Sequence, residues 1–206
     1  MRIGLYGGTF DPIHLGHLIL AEQCREQLQL DAVWFIPAGE PPHKPPGGRT
    51  PGRQRLEMLE LAIAGHDRFQ ALDIEVNRSG PSFTVETLTE LHQPHPSTDF
   101  WWLMGADAVR DFPTWREPER IVTLARLGAV NRGGIPIPEA ITARERFGDR
   151  IDDVTMPTIT LSSSDIRQRV SEGKSVRYLV TRSVEVYIQQ HGLYRGSPAE
   201  SSQPGR

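Results

Sequence analysis

Two histidines, His14 and His17, stand three residues apart in the stretch Gly7-Gly8-Thr9-Phe10-Asp11-Pro12-Ile13-His14-Leu15-Gly16-His17. An apolar run, Ile3 to Tyr6, precedes it and reads as a short buried strand. Leu15, Leu18, Ile19 and Leu28 follow at helical spacing. Strand, glycine turn and helix start, in that order, form an anion site: bare backbone comes close, and the first helical amides point outward. Residues three apart share one helical face. Imidazoles there would meet a polyphosphate, whose whole charges outweigh the helix dipole and hold the rings protonated. The plainer reading has His14 capping the helix and His17 packing or facing water. Zinc is a poor fit, because no third ligand follows at a recognisable spacing and Cys24 lies within an apolar helical pattern. Gly16 costs about 1 kcal/mol relative to alanine inside a helix, which calls for a close approach at that point.

A second group is Leu161-Ser162-Ser163-Ser164-Asp165-Ile166-Arg167. Ser162 and Asp165 fit the Ser-x-x-Asp capping pattern. Free amides, small hydroxyls and an arginine one turn in suit a polyphosphate, although serine caps are common without one. His43 and Lys44 stand in Pro41-Pro42-His43-Lys44, just past an apolar run at 32–36, where they overhang a ligand or simply face solvent. Phe100 to Met104 is a third apolar run, ending in Gly105-Ala106-Asp107. Asp107 is placed either to accept ribose hydroxyls or to cap a helix. Thr84 opens a helical pattern as a cap or a ligand contact. A lone tryptophan such as Trp115 is most often core.

The elements that must position these residues follow from the apolar pattern. Strands are expected at 2–6, 32–36, 69–76, 100–104, 127–130, 151–156 and 158–161. Helices are expected at 15–28, 53–64, 84–91, a short one after 106, 121–125, within 135–147, one after the three serines 162–164 that reaches about 172, and 182–190. Strand, helix, strand at this spacing is a right-handed crossover. The proline- and glycine-rich stretch 37–52 is neither helix nor central strand, and such long loops tend to be functional. The 206 residues make one domain over 1–195, with a polar tail at 196–206 expected to be disordered. A net charge of −3 argues against broad binding to nucleic acid. One cysteine excludes an intramolecular disulfide. With no leader and no apolar span, a cytoplasmic protein is expected.

Gly-x-Phe-Asp-Pro-x-His-x-Gly-His resembles the signature of the nucleotidylyltransferases that carry an H-x-G-H motif. Pro41-Pro42-His43-Lys44 is similar to the same segment in the bacterial nicotinate-mononucleotide adenylyltransferases among them, and the likeness runs from Met1 to about Arg195. It implies an α/β, doubly wound, Rossmann-like parallel sheet with helices on both faces. It implies transfer of the adenylyl group of ATP to nicotinate mononucleotide, giving deamido-NAD and pyrophosphate. Gly8, Thr9, Phe10, His14, His17, Gly105, Asp107, Arg132, Ser163, Ser164 and Arg167 are then expected to bind ATP. His14, His17 and Arg167 would carry the catalysis, and His43, Lys44, Thr84 and Trp115 would bind the acceptor. Magnesium would come with the ATP phosphates, without a protein metal site. Phe83 and Arg116 depart from the family pattern, which more often has tyrosine at the first position and an aromatic or polar residue at the second. An amide or other phosphate acceptor, phosphopantetheine included, remains open, as do a non-catalytic nucleotide sensor and a homo-oligomer.

Overall fold

The computed structural model describes residues 1–39, 50–132 and 141–195; for 106, 107, 132, 141 and 142 it describes the backbone alone. The expected tail at 196–206, with His43 and Lys44, lies outside the described residues.

The apolar runs become strands covered on both faces, which is why they read as continuous rather than alternating. β1 (Arg2–Gly8), β2 (Ala32–Pro37), β3 (Phe69–Ala71), β4 (Asp99–Gly105), β5 (Arg126–Arg132) and β6 (Ile151–Met156) form one parallel sheet in the order β3-β2-β1-β4-β5-β6. The helices are α1 (Leu15–Gln27), α2 (Gly52–Ile63), α3 (Thr84–His92), α4 (Ala106–Asp111), α5 (Pro118–Leu124), α6 (Ile141–Phe147), α7 (Ser163–Ser171) and α8 (Arg182–Gln190). One core joins Tyr6, Phe35 and Val130 of the sheet to Leu20 and Cys24 of α1, Met58 and Leu59 of α2, Ile166 of α7 and Ile188 of α8. The other joins Leu5, Trp102 and Leu127 to Leu88 of α3, Val109 of α4, Ile121 of α5 and Phe147 of α6. The sheet is therefore doubly wound, as the resemblance implies. Burial pushes the Cys24 thiol up to about 12, so it is inert packing.

Two expected strands are corrected. The run 69–76 is strand only over Phe69–Ala71. Leu72 N–H still donates to Phe35 C=O at 2.9 Å, but the next rung needs an N–H from Pro37, which proline lacks. The chain turns instead, with Asn77 N–H on Asp73 C=O at 3.0 Å. The segment 158–161 is not a strand. It follows Pro157 beyond the edge strand β6, and Ile159 and Leu161 pack on the first core instead. α5 starts earlier than expected, with Pro118 in its first turn behind a left-handed Glu117 (φ 52°).

Candidate active site

β1 continues towards β2 on one side, while its other neighbour is β4. Crossovers leave in opposite directions there, so the carboxyl ends of β1 and β4 flank an open crevice. It holds a pocket of about 260 Å³ lined by Gly7 and Gly8 of β1, Met104 and Gly105 of β4, and Phe83, Thr84, Trp115 and Arg116 from the α3 side.

The loop between β1 and α1 is held from several directions. Phe10 takes a left-handed backbone (φ 48°) and buries its ring edge-on to Tyr6 at 5.4 Å and His17 at 5.1 Å. The buried Asp11 carboxylate accepts the Tyr194 hydroxyl at 2.6 Å and Thr50 N–H at 3.3 Å. Burial, then the contact with Asp11, holds the Tyr194 phenol well above its ordinary range. Arg55 of α2 is 2% exposed. It donates to the carbonyls of Thr9 (2.6 Å), Ala38 (2.6 Å) and Thr50 (3.0 Å). One guanidinium thus ties the phosphate-type loop to both roots of the segment 40–49.

His14 is the N-cap of α1, as the plainer reading had it, and its backbone N–H donates to His17 Nδ1 at 3.2 Å. The two rings stack at 3.6 Å and 20°. Nδ1 of His17 accepts that hydrogen bond, so in this arrangement the ring presents Nε2–H as its donor. A doubly protonated His17 would face that N–H with a second donor. Gly16 is explained by its neighbour, because a Cβ there would press on the His14 ring at 3.1 Å.

α7 begins against the same loop. Ser162 caps it, accepting Asp165 N–H at 3.1 Å. Ser163 Oγ donates to Pro12 C=O at 2.9 Å, and Arg167 donates to Asp11 C=O at 2.8 Å and Ser164 Oγ at 3.2 Å. The amino end of α7 is thus joined by direct hydrogen bonds to the loop that leads into α1. One amide of α1 is taken, since Leu15 N–H donates to Leu179 C=O at 3.0 Å.

On the acceptor side, Thr84 is not a cap: Phe83 holds that place, with no side-chain hydrogen bond, and Thr84 lines the pocket. Trp115 lines it too, edge-on to Phe112 at 5.6 Å, while its half-buried ring also packs against the second core. Glu75 forms part of the same wall; burial raises its carboxyl, opposed by the Thr87 hydroxyl donating at 2.7 Å. Gly39 abuts it so closely that a Cβ would collide with the Glu75 carbonyl. Gly105, not Asp107, is the N-cap of α4, and Asp107 follows at the second helical position beside the crevice. Arg132 ends β5. The side chains of both lie outside the description.

Sequence reasoning missed Asp11, Glu75, Arg55 and Tyr194 as parts of the site. Two of them left a signal: Asp11 stands inside the Gly8–His17 motif, and Arg55 sits on the apolar face of α2, one turn before Leu59.

The family model described as cytidylyltransferase-like matches residues 5–169, from inside β1 to near the end of α7, and the chain belongs to that family. Among its curated relatives is a protein of Thermomicrobium roseum named "Probable nicotinate-nucleotide adenylyltransferase". That protein is 48% identical over 196 residues, which cover 94% of this chain and 92% of its own length. A protein of the same name from Thermus thermophilus is 48% identical over 195 residues, covering 95% and 100%. The fold is matched by the solved structure of Plasmodium falciparum nicotinic acid mononucleotide adenylyltransferase complexed with NaAD. Its TM-score is 0.78 at 21% identity, covering 94% of this chain and 97% of that one.

Proposed function

We propose that this chain is a nucleotidyltransferase that joins ATP and nicotinate mononucleotide, releasing pyrophosphate and forming nicotinate adenine dinucleotide. The observation that carries this reading is the docking of α7 onto the loop before α1, at the carboxyl ends of β1 and β4. It gathers imidazoles, serine hydroxyls and a guanidinium about the loop that leaves β1, whose Gly7 and Gly8 line the pocket.

The mononucleotide phosphate is itself the nucleophile, so no side chain needs to form a covalent intermediate. It attacks the α-phosphorus of ATP in line, the bond to the β-phosphate oxygen breaks, and pyrophosphate leaves. The protein orients the two partners and stabilises developing charge. In this reading His17 donates through Nε2–H to an α-phosphate oxygen, while His14 fixes that ring and lies against the same phosphates. Backbone from Gly8 to Phe10 cradles the nucleotide, and Ser163, Ser164 and Arg167 hold the leaving group. Gly105, Asp107 and Arg132 are assigned to the adenosine, and His43, Lys44, Thr84 and Trp115 to the acceptor. The π-face of Trp115 suits a pyridine ring. The amino end of α3, opening beside Thr84, favours a ring carboxylate over an amide.

The donors at the phosphate end suit anions. The Asp11 carboxylate of this loop already accepts from Tyr194 and Thr50, and that of Asp165 accepts from the Ser162 hydroxyl. Magnesium would therefore be held by ATP's own oxygens, where it supplies charge neutralisation. The test is an assay of ATP with nicotinate mononucleotide, its amide and phosphopantetheine in parallel. The expected outcome is pyrophosphate and a dinucleotide, fastest with the acid. Pyrophosphate release with none of the three would leave a nucleotide-sensing module instead.

A further inference from the structure

Arg116 follows Trp115 and lines the acceptor pocket together with Phe83 and Thr84. Its guanidinium lies over the Phe83 ring at 4.6 Å from the centroid. Nη1 donates to Glu86, in the first turn of α3, at 3.0 Å, and Nε is 3.8 Å from Glu117. The ring below and a carboxylate on each side hold the plane of the fork. Its remaining nitrogen, Nη2, has no hydrogen-bond partner among the described residues. Phe83 and Arg116 are thus in direct contact.

We propose that Arg116 is a specificity-determining residue, whose open Nη2 edge receives the ring carboxylate of an anionic pyridine mononucleotide and so sets preference for the acid over the amide. This rests on the adenylyl-transfer reading of the pocket. The charged Nη2 donor favours a carboxylate, which brings the opposite charge and can accept on either oxygen. An amide offers one acceptor, and its NH₂ meets another donor. The neighbouring charges sharpen the difference. Glu86 and Glu117 flank Arg116, Arg120 pairs with Glu117 at 3.3 Å, and Glu75 lies in the pocket wall. Without Arg116, Glu86 faces an incoming carboxylate uncompensated.

The experiment compares wild type, Arg116→Gln and Arg116→Lys with ATP and each acceptor. The amide is scored as a substrate or, where turnover is too slow, as a competitive inhibitor. Arg116→Gln is expected to raise KM for nicotinate mononucleotide about tenfold, the reach of one charge-assisted contact that stays partly in solvent. The amide constant and the KM for ATP should move less than about twofold, because neither ligand uses the fork. Arg116→Lys, with charge but no fork, should recover part of the loss. An unchanged KM for the acid, or an equal change for acid and amide, overturns the proposal while leaving adenylyl transfer intact. A wild type that transfers to neither acceptor overturns the functional reading and this proposal with it.

Discussion

His17 owes its orientation to a backbone group. The amide of His14 donates into Nδ1, which leaves Nε2–H as the only donor the ring can turn towards a phosphate. Replacing His17 by alanine should lower kcat by about 10²–10³, as for other groups that stabilise developing charge. The melting temperature should stay close to wild type, since the ring is only half-buried. Steady-state kinetics beside a circular-dichroism melt checks both halves. The two histidines, the three serines and Arg167 were legible in the sequence because each group works within one turn of one helix. Arg55 and Tyr194 were not, because their partners lie 46 and 183 residues away.

Among the elements, α2 does more than cover the sheet. Through Arg55 it ties the turn after β1 to the exit of β2 and to Thr50. Arg55→Met keeps the volume but strands several carbonyls, and should lower stability by about 2–4 kcal/mol. Arg55→Lys should restore little, since one ammonium cannot span the same acceptors. Urea denaturation measures both. A second tie joins β4, β5 and β6: Arg126 pairs with Asp152 at 2.6 Å, and Trp101 Nε1–H donates to the same carboxylate at 2.8 Å. The Arg126 hydrogen bond above all, then Trp101, holds the Asp152 carboxyl below its usual range. A lowered carboxyl contributes stability above its unfolded value and loses it as pH falls through the folded one. Both side chains are about a third exposed, so the advantage of wild type over Asp152→Asn should be only about 1 kcal/mol at pH 7. It should fade below about pH 4. Thermal melts of both proteins between pH 3 and 7 test this. The apolar runs exposed most strands in the sequence, but nothing local in 69–76 said that a proline on the neighbouring strand would cut the ladder short.

At the scale of the molecule, the sheet order was not readable from the strands themselves, and only the resemblance supplied the doubly wound plan. Within that plan β1 is central, and Tyr194, just past α8, closes on Asp11 at its exit. Tyr194→Phe leaves a buried carboxylate short of a donor and should cost about 1–2 kcal/mol in a denaturant titration. It should also raise the KM for ATP, because the loop that Asp11 steadies is assigned to the phosphates.

That long tie has a bearing on biosynthesis. A chain emerging from the ribosome carries its histidine motif within the first dozen and a half residues, yet α7, α8 and Tyr194 arrive after all six strands. Until then the layer that α1 and α2 cover lacks the share supplied by α7 and α8, and the apolar surface left open is prone to aggregation. Added nucleotide would rescue the finished polypeptide from misfolding but not a nascent one, since the grip that nucleotide would reward is completed last.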